Sequence, residues 1–187
     1  MNICNFTVSW IFIWKRKGIM ADYKELVPIV RKWEGGWSNK PNDRGGCTMS
    51  GVTIATFRSV YGNGKTCSDL RRLTEDQWNH IFKKKYWDRW RADEIRNQSI
   101  ANLLVDWLWT SGVWGIKYPQ RILGVTDDGL VGPRTIAAIN GHPDQEELFR
   151  KLWNRRLEHF RAIAAEPGQH GFLKGWTNRL NSFRFSR

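Results

Sequence analysis

A chain of 187 residues has the length of one domain, or of one compact domain with a small appendix, which excludes a large multidomain machine. Its 41% hydrophobic and 26% charged residues, with 6 Pro and 17 Gly, can bury a core and exclude compositional disorder. Thirty Lys and Arg against 18 Asp and Glu give a net charge of +12, which points to a polyanionic partner such as nucleic acid, an anionic membrane face or a bacterial wall without choosing among them. Three cysteines, Cys4, Cys47 and Cys67, are too few and too odd in number for a disulfide framework, and no Cys/His spacing suggests zinc. A metal-free, reduced protein is expected, with Cys47 and Cys67 as free thiols unless their separation allows a bridge. Twelve tryptophans run from Trp10 to Trp176, and indole faces both fill cores and stack on sugars and bases.

Residues 3–14 are largely apolar and end in Lys15, Arg16 and Lys17. The run falls short of the roughly 20 residues a spanning helix needs. Its charges follow the apolar stretch instead of preceding it, and no small-residue cleavage site comes after, so it does not read as a secretory signal. Met20 stands directly before the first helix signal. Residues 1–19 are therefore expected to be an upstream extension, with a poorly formed membrane anchor as the alternative. Without the three leader cations the net charge is still +9.

From Met20 onward the signals are helical. Asp22 with Glu25 resembles a capping box, and Tyr23, Leu26, Val27, Val30 and Trp33 recur at helical spacing around Pro28. Gly35 and Gly36 are expected to stop that helix, leaving Glu34 at its C-terminal end. Residues 36–52 are rich in Gly, Asn, Asp and Ser and read as a loop with one small hairpin. Thr53 caps a short helix that ends near Gly62. Thr74 with Gln77 opens another, which carries Trp78, Ile81, Phe82 and Tyr86 on one face. Residues 98–111 are apolar nearly all round, the mark of a central buried helix, and Gly112 ends it. A helix over 116–123 leads into the turn Thr126–Gly129. Pro133 starts the next, Asp144 with Glu147 caps a long one to about Ala165, and a last amphipathic stretch covers 172–183. The expected fold is mainly α.

One segment carries the chemistry: Trp33, Glu34, Gly35, Gly36 and Trp37, then Asp43 in the glycine-rich loop and Thr48 beyond it. A carboxyl at a helix C-terminus feels the negative end of the macrodipole, and flanking indoles would desolvate it; both effects favour its protonated form. Such a group can act as a general acid on a glycosidic bond when a second carboxylate stays ionised in a wetter place, and Asp43 fits that second role. The bland alternatives are a solvated helix end for Glu34 and an Asx turn for Asp43. Asp106, inside the apolar helix, is expected to be held in a buried ion pair or hydrogen bond. Trp107 and Trp109 cannot share a helix face, so at most one of them meets substrate.

The stretch EGGWSNKPNDRGGCTMSGVT resembles a motif of the family 108 glycoside hydrolases, bacterial and prophage N-acetylmuramidases of lysozyme-like fold. Matching segments continue at YWDRWRADEI (86–95), NQSIANLLVDWLWTSG (97–112) and PQRILGVTDDGLVGPRTIAAIN (119–140). The resemblance covers residues 20–187. It implies a lysozyme-like α+β fold with at most one small hairpin near 37–52, a catalytic domain over 20–112, and a helical, predicted peptidoglycan-binding module over 113–187. The Glu of the motif lands on Glu34 as catalytic acid. By wider similarity to phage-type lysozymes, Asp43 and Thr48 take the places of the Asp and Thr of the small hairpin. Independently of the resemblance, Trp33, Trp37, Trp107 and Trp109 are candidates to line a sugar cleft, with core packing the default for Trp107 and Trp109; the resemblance adds a wall-binding role for Asp128 and Gly129, although turn chemistry alone would demand these two. Arg44 and Cys47 depart from the Pro and Ala that relatives often carry there.

The expected function is hydrolysis of the β-1,4 bond between N-acetylmuramic acid and N-acetylglucosamine in peptidoglycan, by a monomer without metal or other cofactor. A lytic transglycosylase, a non-catalytic wall binder and a basic nucleic-acid binder are the alternatives, the last with no recognisable nucleic-acid motif behind it. Synthesis in the cytoplasm with passage to the wall through a holin-like pore or another export route fits a leader that is not a signal peptide. Prophage endolysin, secretion-associated remodeller and toxin would all need the same site.

Overall fold

A computed structural model describes residues 20–39 and 46–186. The leader, and Asp43 with its loop, lie outside the described residues.

The first helix, α1 (Tyr23–Arg31), is capped by Asp22, whose side chain accepts from the Lys24 N–H at 2.8 Å. The expected capping box is not what closes it. The Asp22 N–H that Glu25 would have served donates instead to Gln98 at 2.6 Å, a partner 76 residues away that local pattern cannot reveal. Pro28 sits inside the helix, and the helix stops at Arg31, before either glycine. A tight final turn, with Glu34 N–H donating to Arg31 C=O at 3.3 Å, carries Glu34 just beyond the helix end.

Three two-residue strands follow: β1 (Trp37–Ser38), β2 (Thr48–Met49) and β3 (Val52–Thr53), paired antiparallel in the order β1-β2-β3. The sheet is thus one strand richer than a single hairpin and extends one residue past 52. Its second turn is closed by Ser50 (φ 48°) and Gly51 (φ 77°), two left-handed residues in succession, which is how two-residue hairpin loops match the twist of their strands. The Trp78 indole N–H donates to the Ser50 carbonyl at 2.9 Å and pins this turn to the helical body.

Helices α2 (Ile54–Tyr61), α3 (Cys67–Arg71) and α4 (Glu75–Phe82) complete the first half. Thr53 and Thr74 cap α2 and α4 as their spacing requires. Helix α3 is too short for apolar periodicity to reveal, although its Thr66–Asp69 capping box is formed. A π-helical turn (Lys83–Trp87) and two 3-10 turns then bury Trp87 and Trp90 and lead to α5 (Gln98–Ser111). That helix is buried on every side from Ser99 to Leu108 and is the axle of the fold. Around it pack α1, α6 (Trp114–Ile122) and α8 (Gln145–Ala164), while α7 (Pro133–Asn140) follows the 126–129 turn. Helix α9 (Leu173–Leu180) folds back along α8, and the chain returns so that Ser186 N–H donates to Ser99 Oγ at 2.9 Å. The core is continuous from α1 to the C-terminal Phe183.

The expected free thiols are corrected. Cys47 and Cys67 form a disulfide with Cα atoms 5.9 Å apart, tying the foot of β2 to the first residue of α3. Their 20-residue separation hid a proximity created by the sheet. Closing a loop of this size limits the unfolded chain, so reduction, or Cys67→Ser, should lower stability by roughly 2–4 kcal/mol. Thermal unfolding with and without reductant measures this; an unchanged midpoint would count against the bridge.

Candidate active site

Asp106 is fully buried in α5, where a lone charge would be prohibitive. Burial alone would push its carboxyl up, but the guanidinium groups of Arg156 and Arg179 more than offset this and hold it below the usual carboxylate range. Arg156, fully buried on α8, donates to Asp106 Oδ2 at 2.6 Å and to Thr110 at 3.0 Å. Arg179, on α9, places Nη2 at 2.6 Å from Asp106 Oδ1 and Nη1 at 2.8 Å from Glu34 Oε1. Burial disfavours the Arg179 charge, yet Asp106 and Glu34 together raise its pKa, so it remains a cation. The sequence expectation of an ion pair for Asp106 is met by two arginines, one of which reaches on to the candidate acid.

The Glu34 side chain is 10% exposed. Its Oε1 accepts a second bond from the Trp109 indole N–H at 2.6 Å. The side chains that donate to it are therefore those of Trp109 and Arg179, from distant helices, and not the flanking Trp33 and Trp37. Two features bring Trp109 there. It lies on the face of α5 opposite Trp107, which is buried, and its ring is braced by Tyr86 at 4.7 Å and Phe82 at 5.1 Å between centroids. Burial raises the Tyr86 phenol above its ordinary value, with Glu34 adding to the effect, so the phenol stays neutral beside the carboxyl.

Glu34 Oε2 faces the hairpin turn. A Cβ on Gly51 would collide with Glu34 Oε2 and Trp109 Cζ2 and stand 2.8 Å from Glu34 Cδ. Only glycine fits this approach, and the positive φ demands it as well. The hairpin is thus a lid of backbone laid on the carboxyl.

These groups line a cleft of about 700 Å³ whose walls include Trp33, Glu34, Gly51 and Trp109 on one side and Trp114, His159, Trp176 and Arg179 from the later helices. Of the residues singled out in the sequence, the fold brings Glu34, Trp33 and, of the Trp107/Trp109 pair, Trp109 into this cleft; the Trp33 indole N–H donates to Ser182 Oγ at 3.2 Å. Thr48 is half-buried on β2 opposite Ser38 and Thr53, and Trp37 on β1 lies under Arg71, 5.7 Å away; neither is part of the cleft wall. Asp128 and Gly129 hold their own turn. The Asp128 carboxylate accepts from Leu130 N–H at 2.8 Å and Gln120 at 3.0 Å, and Gly129 N–H donates to Gln120 at 2.9 Å. Two charged residues of the cleft wall, Arg179 and Glu166, escape sequence reasoning. Arg179 was one arginine among many on an amphipathic stretch. Glu166, an exposed carboxylate of the cleft wall just beyond α8, lacked any motif.

Two substitutions probe this arrangement. Asp106→Asn strands the buried Arg156, leaves Arg179 with Glu34 as its remaining carboxylate, and should cost about 3–5 kcal/mol at neutral pH. Because the folded carboxyl titrates below its unfolded value, its contribution is present above about pH 4 and is lost as pH falls through the folded value. The stability gap between wild type and variant, measured by denaturant unfolding, should therefore narrow in strong acid. Gly51→Ala must displace Glu34 or twist the hairpin, and we expect activity to fall by about a hundredfold while the thermal midpoint moves by only a few degrees. Near-normal turnover in this variant would show that Glu34 does not need its present position.

Residues 27–112 match the family model described as Glycosyl hydrolase 108, and residues 114–181 match the one described as Predicted Peptidoglycan domain. Among solved structures, the chain is similar to Brucella abortus SagA, with a TM-score of 0.75 and 27% identity, covering 86% of this chain and 90% of that one. No curated protein matches. The cleft draws walls from both matched segments, and Glu34 lies in the first.

Proposed function

We propose, from the match of residues 27–112 to the family model described as Glycosyl hydrolase 108, that the chain is an N-acetylmuramidase in which Glu34 protonates the bridging oxygen between N-acetylmuramic acid and N-acetylglucosamine. The coarser statement, a glycoside hydrolase whose target is peptidoglycan, follows from the two matched families together. The observation that carries the finer one is a carboxyl nine-tenths buried at the wall of an open cleft, with both N–H donors on a single oxygen.

That asymmetry has a chemical use. With Trp109 and Arg179 both directed at Oε1, a proton carried by Glu34 belongs on Oε2. Once the proton has passed to the leaving oxygen, the same two donors stabilise the negative charge left behind, which is the moment when preorganised dipoles lower a barrier most. Asp43 then activates a water or stabilises the oxocarbenium-like charge, and Thr48 positions that water; this part rests on the resemblance to phage-type lysozymes. Glu166 is the rival for the second carboxylate, favoured by its place on the cleft wall. A separation from Glu34 of about 6.5–9.5 Å would give inversion, and one near 5 Å retention.

Glu34→Gln should reduce clearing of purified walls by at least about a hundredfold while leaving the fold intact; retained activity would reject the assignment. Asp43→Asn and Glu166→Gln assayed side by side identify the second carboxylate as the one whose loss costs more than about tenfold. Mass spectrometry of the fragments separates hydrolysis from transglycosylation, since the 1,6-anhydro product of the latter is lighter by one water. Wall binding with no released fragment would instead mark a non-catalytic binder. The proposed setting is synthesis in the cytoplasm and action on the wall, as an endolysin or as a wall remodeller, by a monomer that uses no cofactor.

A further inference from the structure

Beyond the cleft, α6 carries an aromatic and cationic stripe. Trp114, Lys117, Tyr118 and Arg121 fall at positions i, i+3, i+4 and i+7, so they share one helix face. Trp114 lines the cleft and is yet 42% exposed, a large indole left open to solvent. It stacks on Tyr118 with centroids 5.2 Å apart, and Tyr118 in turn meets the cleft residue His159 at 5.0 Å. Cations gather over these rings: Lys117 lies 5.8 Å from Trp114, and Arg121 and Arg155 lie 5.5 and 3.8 Å from Tyr118. Two carboxylates partly balance them, Asp127 on Arg121 at 2.6 Å and Glu158 on Arg155 at 3.6 Å, so the stripe keeps a net positive charge. Burial and the neighbouring arginines depress the His159 pKa, which leaves that ring neutral and able to exchange hydrogen bonds with hydroxyls. The turn once singled out for Asp128 and Gly129 supports this face. A side chain on Gly129 would press into Val113 and come within 3.5 Å of the Lys117 stem.

We propose that this stripe is a subsite for the glycan strand beyond the scissile bond, with Trp114 stacking on a pyranose face while Lys117 and Arg155 take the carboxylate borne by that sugar or by its peptide stem. The proposal rests on the muramidase reading for the identity of the glycan. Its chemistry follows from the stripe itself: an open π-face suits the C–H face of a sugar, and a flanking net positive charge selects an acidic saccharide over a neutral one. Such a subsite makes the segment from 114 onward a working wall of the cleft as well as an anchor on the polymer.

The test separates stacking from charge, and both from catalysis. Binding is measured with Glu34→Gln as background, on sacculi stripped of phosphate-bearing polymers and on neutral chitooligosaccharides. Trp114→Ala should weaken both by roughly tenfold, the scale of one ring stacked on an aromatic side chain, and Trp114→Phe should recover much of the loss. Lys117→Gln combined with Arg155→Gln should weaken sacculus binding severalfold at low salt and flatten its salt dependence, while chitooligosaccharide binding stays within twofold. In the active protein, Trp114→Ala should raise KM more than it lowers kcat. Undiminished binding by Trp114→Ala, or equal losses on charged and neutral ligands for the charge variant, would overturn the proposal. If Glu34→Gln itself still cleaved walls, the muramidase assignment would fail, and the binding comparison could still be read on uncleavable ligand.

Discussion

The structure turns on one guanidinium. Arg179 holds Asp106 of the central helix with one edge and Glu34 with another nitrogen, and no other described residue is hydrogen-bonded to both carboxylates. Asp106 would be intolerable in α5 without its two arginines, and Arg179 would be intolerable in its buried place without its two carboxylates. The cluster of Glu34, Asp106, Arg156 and Arg179 is neutral when all four are ionised, so its members stabilise one another in a setting that disfavours each of them alone. Geometry follows from charge. Helix α9 must lie where Arg179 can span both partners, and that placement closes one side of the cleft.

This explains why residues at opposite ends of the chain form one site. Glu34 comes from the turn after α1, Trp109 from α5, Gly51 from the hairpin, and Arg179 from a helix 145 residues further on. The hairpin is small, yet it is fastened twice, by the Trp78 bond to Ser50 and by the Cys47–Cys67 bridge. Both fastenings act on the backbone that lies against the carboxyl. A general acid, the role proposed for Glu34, works only if its position survives the loss of its proton, and supports of unlike kind (ion pair, indole, backbone turn) hold this carboxyl in place.

The matched families divide the chain at about residue 113, but the cleft does not respect the division. Trp114, His159, Trp176 and Arg179 belong to the later segment and still line it. The proposed catalytic acid and the proposed glycan-holding surface are therefore parts of one continuous wall. The chain's positive charge is consistent with these proposals, since cations on the α6 face would draw an acidic polymer toward the proposed acid.

Local chemistry made much of this legible in advance. The caps at Thr53, Thr74 and Asp144, the buried character of residues 98–111 and the stop at Gly112 are short-range consequences of side-chain shape and hydrogen bonding, so the amino-acid order alone decides them. The motif around Glu34 likewise stands out in the order of residues, and so does the need of Asp106 for a counter-charge, because a carboxylate in an apolar helix cannot be left unpaired. What the order could not say was which partners would answer. Arg156 and Arg179 lie 50 and 73 residues from Asp106, Gln98 takes the Asp22 donor in place of Glu25, and Cys67 meets Cys47 through a sheet only two residues deep per strand. Those choices depend on where helices pack around α5, and packing is settled by the whole core together rather than by any stretch of it. The sequence determined that position 34 would carry a carboxyl beside a glycine-rich turn; only the tertiary structure decided that an indole from one helix and a guanidinium from another would hold it at the edge of a cleft.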